Sequence, residues 1–99
     1  MKSGHRIVWT DNALDELRRT LHYLESSFSE KEINRLANKI ESVLRNISKY
    51  PELYPETIER DGVRRAVVAK FNTMYYRVNI SNDQIEILSF FSNRESPKN

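Results

Sequence analysis

The apolar residues of this chain follow a helical period as far as Ile47 and lose it after Gly62. That change of rhythm restricts the fold to paired helices followed by sheet. Leu14, Leu17, Leu21, Leu24 and Phe28 recur at three- and four-residue steps, which draws one stripe down a helix of about four turns. Thr10 or Asp11 offers the cap that starts it. The run "SSFSEKE" interrupts the pattern, and Ser29 with Glu32 has the spacing of a capping box for a second helix. Its stripe is Ile33, Leu36, Ala37, Ile40, Val43, Leu44 and Ile47. So short a connection predicts an antiparallel helical hairpin. Trp9, just ahead of the first helix, is expected in the core or as a staple at the helix start.

The segment "KYPELYPETIERDG" reads as an ordered loop, with Tyr50 and Tyr54 expected to pin it to the body. Residues 63–70, 73–80 and 84–91 then read as three strands, joined by "KFN" and "SNDQ" into an antiparallel meander. "HRIVW", residues 5–9, supplies a further short strand. The expected fold class is therefore α+β. Its order is β-α-α-β-β-β, with an antiparallel sheet packed on an N-terminal helical hairpin, in one domain over residues 1–99.

Composition narrows the chemistry. Cysteine is absent, which excludes disulfide scaffolds, thiolate metal sites and cysteine nucleophiles and fits a reducing cytoplasm. "MKSGHRIVWTDN" is not followed by the apolar run of a secretion signal, and no stretch approaches the roughly 20 apolar residues of a membrane span. Two glycines, Gly4 and Gly62, cannot build a phosphate-binding glycine loop. His5 and His22 lack metal-ligand spacing, so neither a metal nor a cofactor is expected.

Formal net charge is only +2, so the distribution of charge carries more meaning than its sum. Arg60, Arg64, Arg65, Lys70 and Arg77 fall between residues 60 and 77, opposed only by Asp61. Arg94 follows the last strand. Guanidinium groups match phosphate oxygens or carboxylates two at a time, and Tyr75 or Tyr76 could add stacking or a hydroxyl. The competing reading is a solvated strand face. Alternation places Met74, Tyr76, Val78 and Ile80 on one face of the middle strand and Thr73, Tyr75, Arg77 and Asn79 on the other. The pattern does not decide which of Arg64 and Arg65 shares the second face. Lys31, Arg35, Lys39, Arg45 and Lys49 on the second helix read as a wet surface.

Four stretches, "VWTDNALDELRRTLHYL", "YPELYPE", "VRRAVVAKFNTMYYRV" and "IEILSFFSNRESP", occur in the order that marks the RelE/ParE superfamily of toxins from bacterial type II toxin–antitoxin modules, which the chain resembles. The resemblance implies a small cytoplasmic toxin silenced by a cognate antitoxin, in a complex that can reach operator DNA through the antitoxin. RelE-like members cut mRNA on the ribosome; ParE-like members bind DNA gyrase. As a nuclease, the chain would use Arg65, Arg94, Arg77 and Tyr75. As a binder of target or antitoxin, it would use Arg64, Arg65, Lys70, Tyr75, Arg77 and Arg94. RelE-like nucleases carry an arginine where this chain has Thr73, and they end in a Tyr or His where it reads "RESPKN". The resemblance therefore leans to a ParE-like toxin that binds, with an mRNA endonuclease and a non-toxic relative as the alternatives.

Overall fold

The computed structural model describes residues 4–92. Its elements run β1 (Arg6–Trp9), α1 (Asp11–Ser27), α2 (Glu30–Lys49), β2 (Val63–Ala69), β3 (Asn72–Asn79) and β4 (Gln84–Ser92). The strands form one four-stranded sheet in the order β1-β4-β3-β2. The expected meander is present, with β2 antiparallel to β3 and β3 to β4. β1, which periodicity left unplaced, adds to β4 in parallel, Ile7 opposite Ile85 and Trp9 opposite Ile87, so the sheet is mixed rather than wholly antiparallel.

Thr10 caps α1, its Oγ1 accepting the Ala13 N–H at 3.1 Å. The same hydroxyl donates to the Ile87 carbonyl at 2.9 Å, tying the helix start to β4. Ser29 stands at the N-cap of α2, but its side chain makes no capping bond, so the expected capping box does not form. Glu32 instead turns toward Arg35, 3.8 Å away. At the end of the loop, Gly62 takes φ +78°, a left-handed turn that a glycine adopts without strain, just before β2.

Both helices cover one face of the sheet. Ala13 and Leu24 of α1 and Leu36, Ile40, Val43 and Ile47 of α2 meet Ala66, Val68, Met74, Tyr76, Ile85, Ile87 and Phe90 in a single core. The α1 stripe is rotated from its sequence reading. Ala13 and Thr20 are buried while Leu14 and Phe28 remain partly open, a little over a third exposed, Phe28 against the Tyr23 ring. Thr20 is tolerated inside because its hydroxyl donates back to the Glu16 carbonyl at 3.0 Å. Ile80, expected on the apolar face, falls past the end of β3 and is exposed.

The loop is ordered, as expected, but only one of its two tyrosines secures it. Tyr50 is exposed, whereas Tyr54 packs on the core. Further anchors come from the sheet: Tyr76 donates to the Pro51 carbonyl at 2.7 Å, and Arg64 to the Tyr54 carbonyl at 2.7 Å.

β4 carries a bulge. Tyr76 pairs with Ile87 but Tyr75 with Ser89, so Leu88 and Ser89 together oppose one residue of β3. Ile85, Ile87 and Phe90 therefore all face the core, although the last step is three residues rather than two.

Candidate functional site

The face of the sheet turned away from the helices is where the sequence-derived residues gather. Strand alternation around the buried pair Met74 and Tyr76 puts Thr73, Tyr75 and Arg77 on that open face. Cross-strand register then brings Arg65 opposite Tyr75, Val67 opposite Thr73, and Phe91 opposite Thr73 from the other side. Arg65 and Tyr75 thus sit side by side, next to a row formed by Val67, Thr73 and Phe91. Val67 is 52% and Phe91 44% exposed, while Thr73 between them is 7% exposed. The row is an open apolar ridge in which the only hydroxyl is covered.

The six residues read from sequence separate into distinct places. Arg65, Tyr75 and Arg77 share the open face. Arg64 does not: it pairs with Tyr76 on the helix-covered side, donates to the Tyr54 carbonyl, and lies 3.6 Å from Glu56. Its guanidinium is committed to holding the loop, so the arginine on the open face is Arg65. Lys70 stands in the β2–β3 turn, its ammonium 5.4 Å above the Phe71 ring. There it lines a separate cleft of roughly 200 Å³ with Tyr23, Leu24, Arg35, Leu36 and Phe71. Arg94 lies outside the described residues.

Arg77 is not a free cation either. Its Nε and Nη2 both donate to Glu86 Oε1, at 3.2 and 2.9 Å, and Asn79 Nδ2 adds a bond to Oε2 at 3.4 Å. The hydrogen bond from Arg77, then that from Asn79, hold the Glu86 carboxyl below its ordinary range. Arg65 makes no ion pair with any described residue, whereas Arg77, also exposed on this face, is paired with Glu86. No cluster of three or more metal-ligating side chains occurs among the described residues.

Sequence reasoning missed Val67, Phe91 and Glu86. The alternation that placed Thr73 would have found Val67 once the β2–β3 register was known. Phe91 was hidden by the bulge, which reverses its face. Glu86 is visible only after β3 and β4 are paired.

A family model for the ParE toxin of the type II toxin–antitoxin system parDE matches residues 7–97. The chain belongs to the ParE toxin family. Among curated protein sequences none matches it significantly. Solved structures share the ParE-type fold at low identity. The chromosomal ParDE toxin–antitoxin system from P. aeruginosa superposes with a TM-score of 0.72 at 16% identity, over 89% of this chain and 95% of that one. A YoeB/ParE toxin from Agrobacterium tumefaciens gives 0.65 at 18% identity, over 88% and 96%. The isolated E. coli RelE toxin gives 0.57 at 15% identity, over 93% and 87%. The expected RelE/ParE resemblance, its α+β fold and the role of toxin in a type II toxin–antitoxin system all hold for this ParE-family chain.

Proposed function

We propose that this ParE-family toxin arrests growth by binding a protein target through the open face of its sheet, with DNA gyrase as the target, and that it does not cut RNA. The carrying observation is the Val67–Thr73–Phe91 row. Where the RelE-like nucleases hold an arginine, Thr73 is buried between two open apolar side chains. A scissile phosphate needs preorganised positive charge, and the lost arginine would forfeit several kcal/mol of transition-state stabilisation. An apolar ridge beside Arg65, an arginine with no ion pair among the described residues, and a neighbouring tyrosine instead suits a protein surface, where aromatic and arginine anchors dominate affinity.

The same features support a cognate antitoxin as partner. An acidic, apolar-anchored antitoxin segment would pair with Arg65 rather than Arg64, because Arg64 is already bound to the loop. No described helix is long and apolar enough to cross a membrane.

The test is to induce the chain alone in bacteria and map new 5′ ends across translated mRNAs while assaying DNA breaks and purified gyrase. Growth arrest with gyrase inhibition and no new cuts is the expected result. Fresh cuts inside reading frames, abolished by Arg65→Ala, would overturn it in favour of an mRNA endonuclease.

A further inference from the structure

The bulge of β4 interrupts the ladder, and the backbone groups it frees need partners elsewhere. The N-cap and first turns of α1 supply side-chain partners, in addition to the Thr10 N–H that the Ile87 carbonyl already accepts at 3.1 Å. Thr10 Oγ1 donates to the Ile87 carbonyl at 2.9 Å, and Asn12 Nδ2 to the Leu88 carbonyl at 3.0 Å. Glu16 Oε1 accepts the Phe90 N–H at 2.8 Å and the Ser89 hydroxyl at 3.0 Å. One carboxylate oxygen therefore holds both residues that follow Leu88.

The consequence lies on the other side of the sheet. With the bulge, Phe90 enters the core opposite Met74 and Phe91 stands opposite Thr73 on the open face. A strand running on from Ile87 with regular alternation would bring Ser89 into the core and turn Phe90 outward. The core alone does not choose strongly between two adjacent phenylalanines. A buried-side acceptor aimed at the Phe90 amide does choose, because that amide is presented to α1 only in the bulged register.

We infer that Glu16 is a positioning residue for the target-binding face: by holding the bulge, it places Phe91 in the ridge beside Thr73. This rests on the reading of the open face as the binding surface. It assigns a role to a helix residue on the opposite side of the sheet, which never touches the target. A carboxylate suits the task because it is an acceptor only: beside the Phe90 N–H and the Ser89 hydroxyl, Glu16 Oε1 also accepts from Asn12 Nδ2 at 3.4 Å, and it offers no competing donor.

The test uses the full chain made by cell-free synthesis, with the variants Glu16→Ala, Glu16→Gln and Glu16→Asp. NMR reads the cross-strand contact between Phe91 and Thr73 and the hydrogen exchange of the Phe90 amide, and a growth assay is run alongside. Glu16→Ala should lose the Phe91–Thr73 contact and speed Phe90 exchange at least about tenfold, while amides of α2 and of the β2–β3 ladder keep their protection. Glu16→Gln, which retains an acceptor oxygen, should restore both. A merely structural role would lower protection across the molecule and would not be confined to β4.

Should Glu16→Ala fail to fold, Glu16→Asp reads the same point, since its shorter arm cannot reach both donors and Phe90 exchange should rise. Unchanged contact and exchange in Glu16→Ala, or in Glu16→Asp where that is the variant that folds, would overturn the inference. A lost contact with growth arrest undiminished would support the positioning by Glu16 and instead overturn the open face as the binding surface.

Discussion

The hydroxyl of Tyr76, at the centre of the sheet, donates a 2.7 Å hydrogen bond to the carbonyl of Pro51, 25 residues earlier in the chain. Tyr76 has no exposed surface, so this bond joins the middle of the core to the loop that precedes β2. Burial pushes its hydroxyl above the ordinary tyrosine value, while the Tyr54 backbone and the Arg64 charge pull the other way.

Alkaline stability should reveal that link. Below about pH 10 the hydroxyl is neutral in both states and its contribution is complete. As pH rises further, the unfolded chain ionises first and stability falls until the raised folded pKa is passed. Tyr76→Phe should cost about 1–3 kcal/mol at neutral pH, because it leaves the Pro51 carbonyl without its donor. It should also flatten the decline above about pH 10. Urea unfolding at several pH values checks both, and an unchanged alkaline slope would remove Tyr76 as its source.

The two adjacent arginines of β2 should behave oppositely. Arg64→Ala breaks the bond to Tyr54 and leaves Glu56 alone, so it should lower stability by about 1.5–3 kcal/mol and loosen the loop. Arg65→Ala, on the open face, should change stability by no more than about 0.5 kcal/mol but weaken growth arrest and target binding. Thermal melts and growth assays on the two variants separate the roles.

Acid should act through Glu86. Its folded pKa is lowered, so its contribution is present above the ordinary carboxylate range and is lost as pH falls through the lowered value. Because the pair with Arg77 is solvated, Glu86→Gln should cost under about 1 kcal/mol near neutrality. The variant should also lose this part of the acid dependence, and denaturant melts between pH 2 and about pH 7 would show whether it does.

How much of this was readable from residue order can be traced element by element. The two helical stripes, the loop between Lys49 and Val63, and the alternation that opposes Tyr75 to Tyr76 are local patterns. They depend on the 3.6- and 2-residue repeats of the backbone, and those repeats act within a few residues of chain. They were enough to expect two helices, a meander and a basic strand face. The α1 stripe was read one step off because Thr20 can be buried once its hydroxyl bonds to Glu16, an option that hydrophobicity does not register.

Short-range pattern is thus sufficient for which segments are helix and which are strand, and for placing Tyr75 and Arg77 on one face. It takes the assembled fold to run β1 parallel along β4, to tie Arg64 to the loop while Arg65 stays open, and to turn Phe91 rather than Phe90 outward. The reason is physical. Register, pairing direction and the phase shift of a bulge are set by contacts between residues distant in sequence, here Thr10, Asn12 and Glu16 with Ile87, Leu88, Ser89 and Phe90. No short-range periodicity encodes those contacts, because they come into being only when α1 is laid across the sheet.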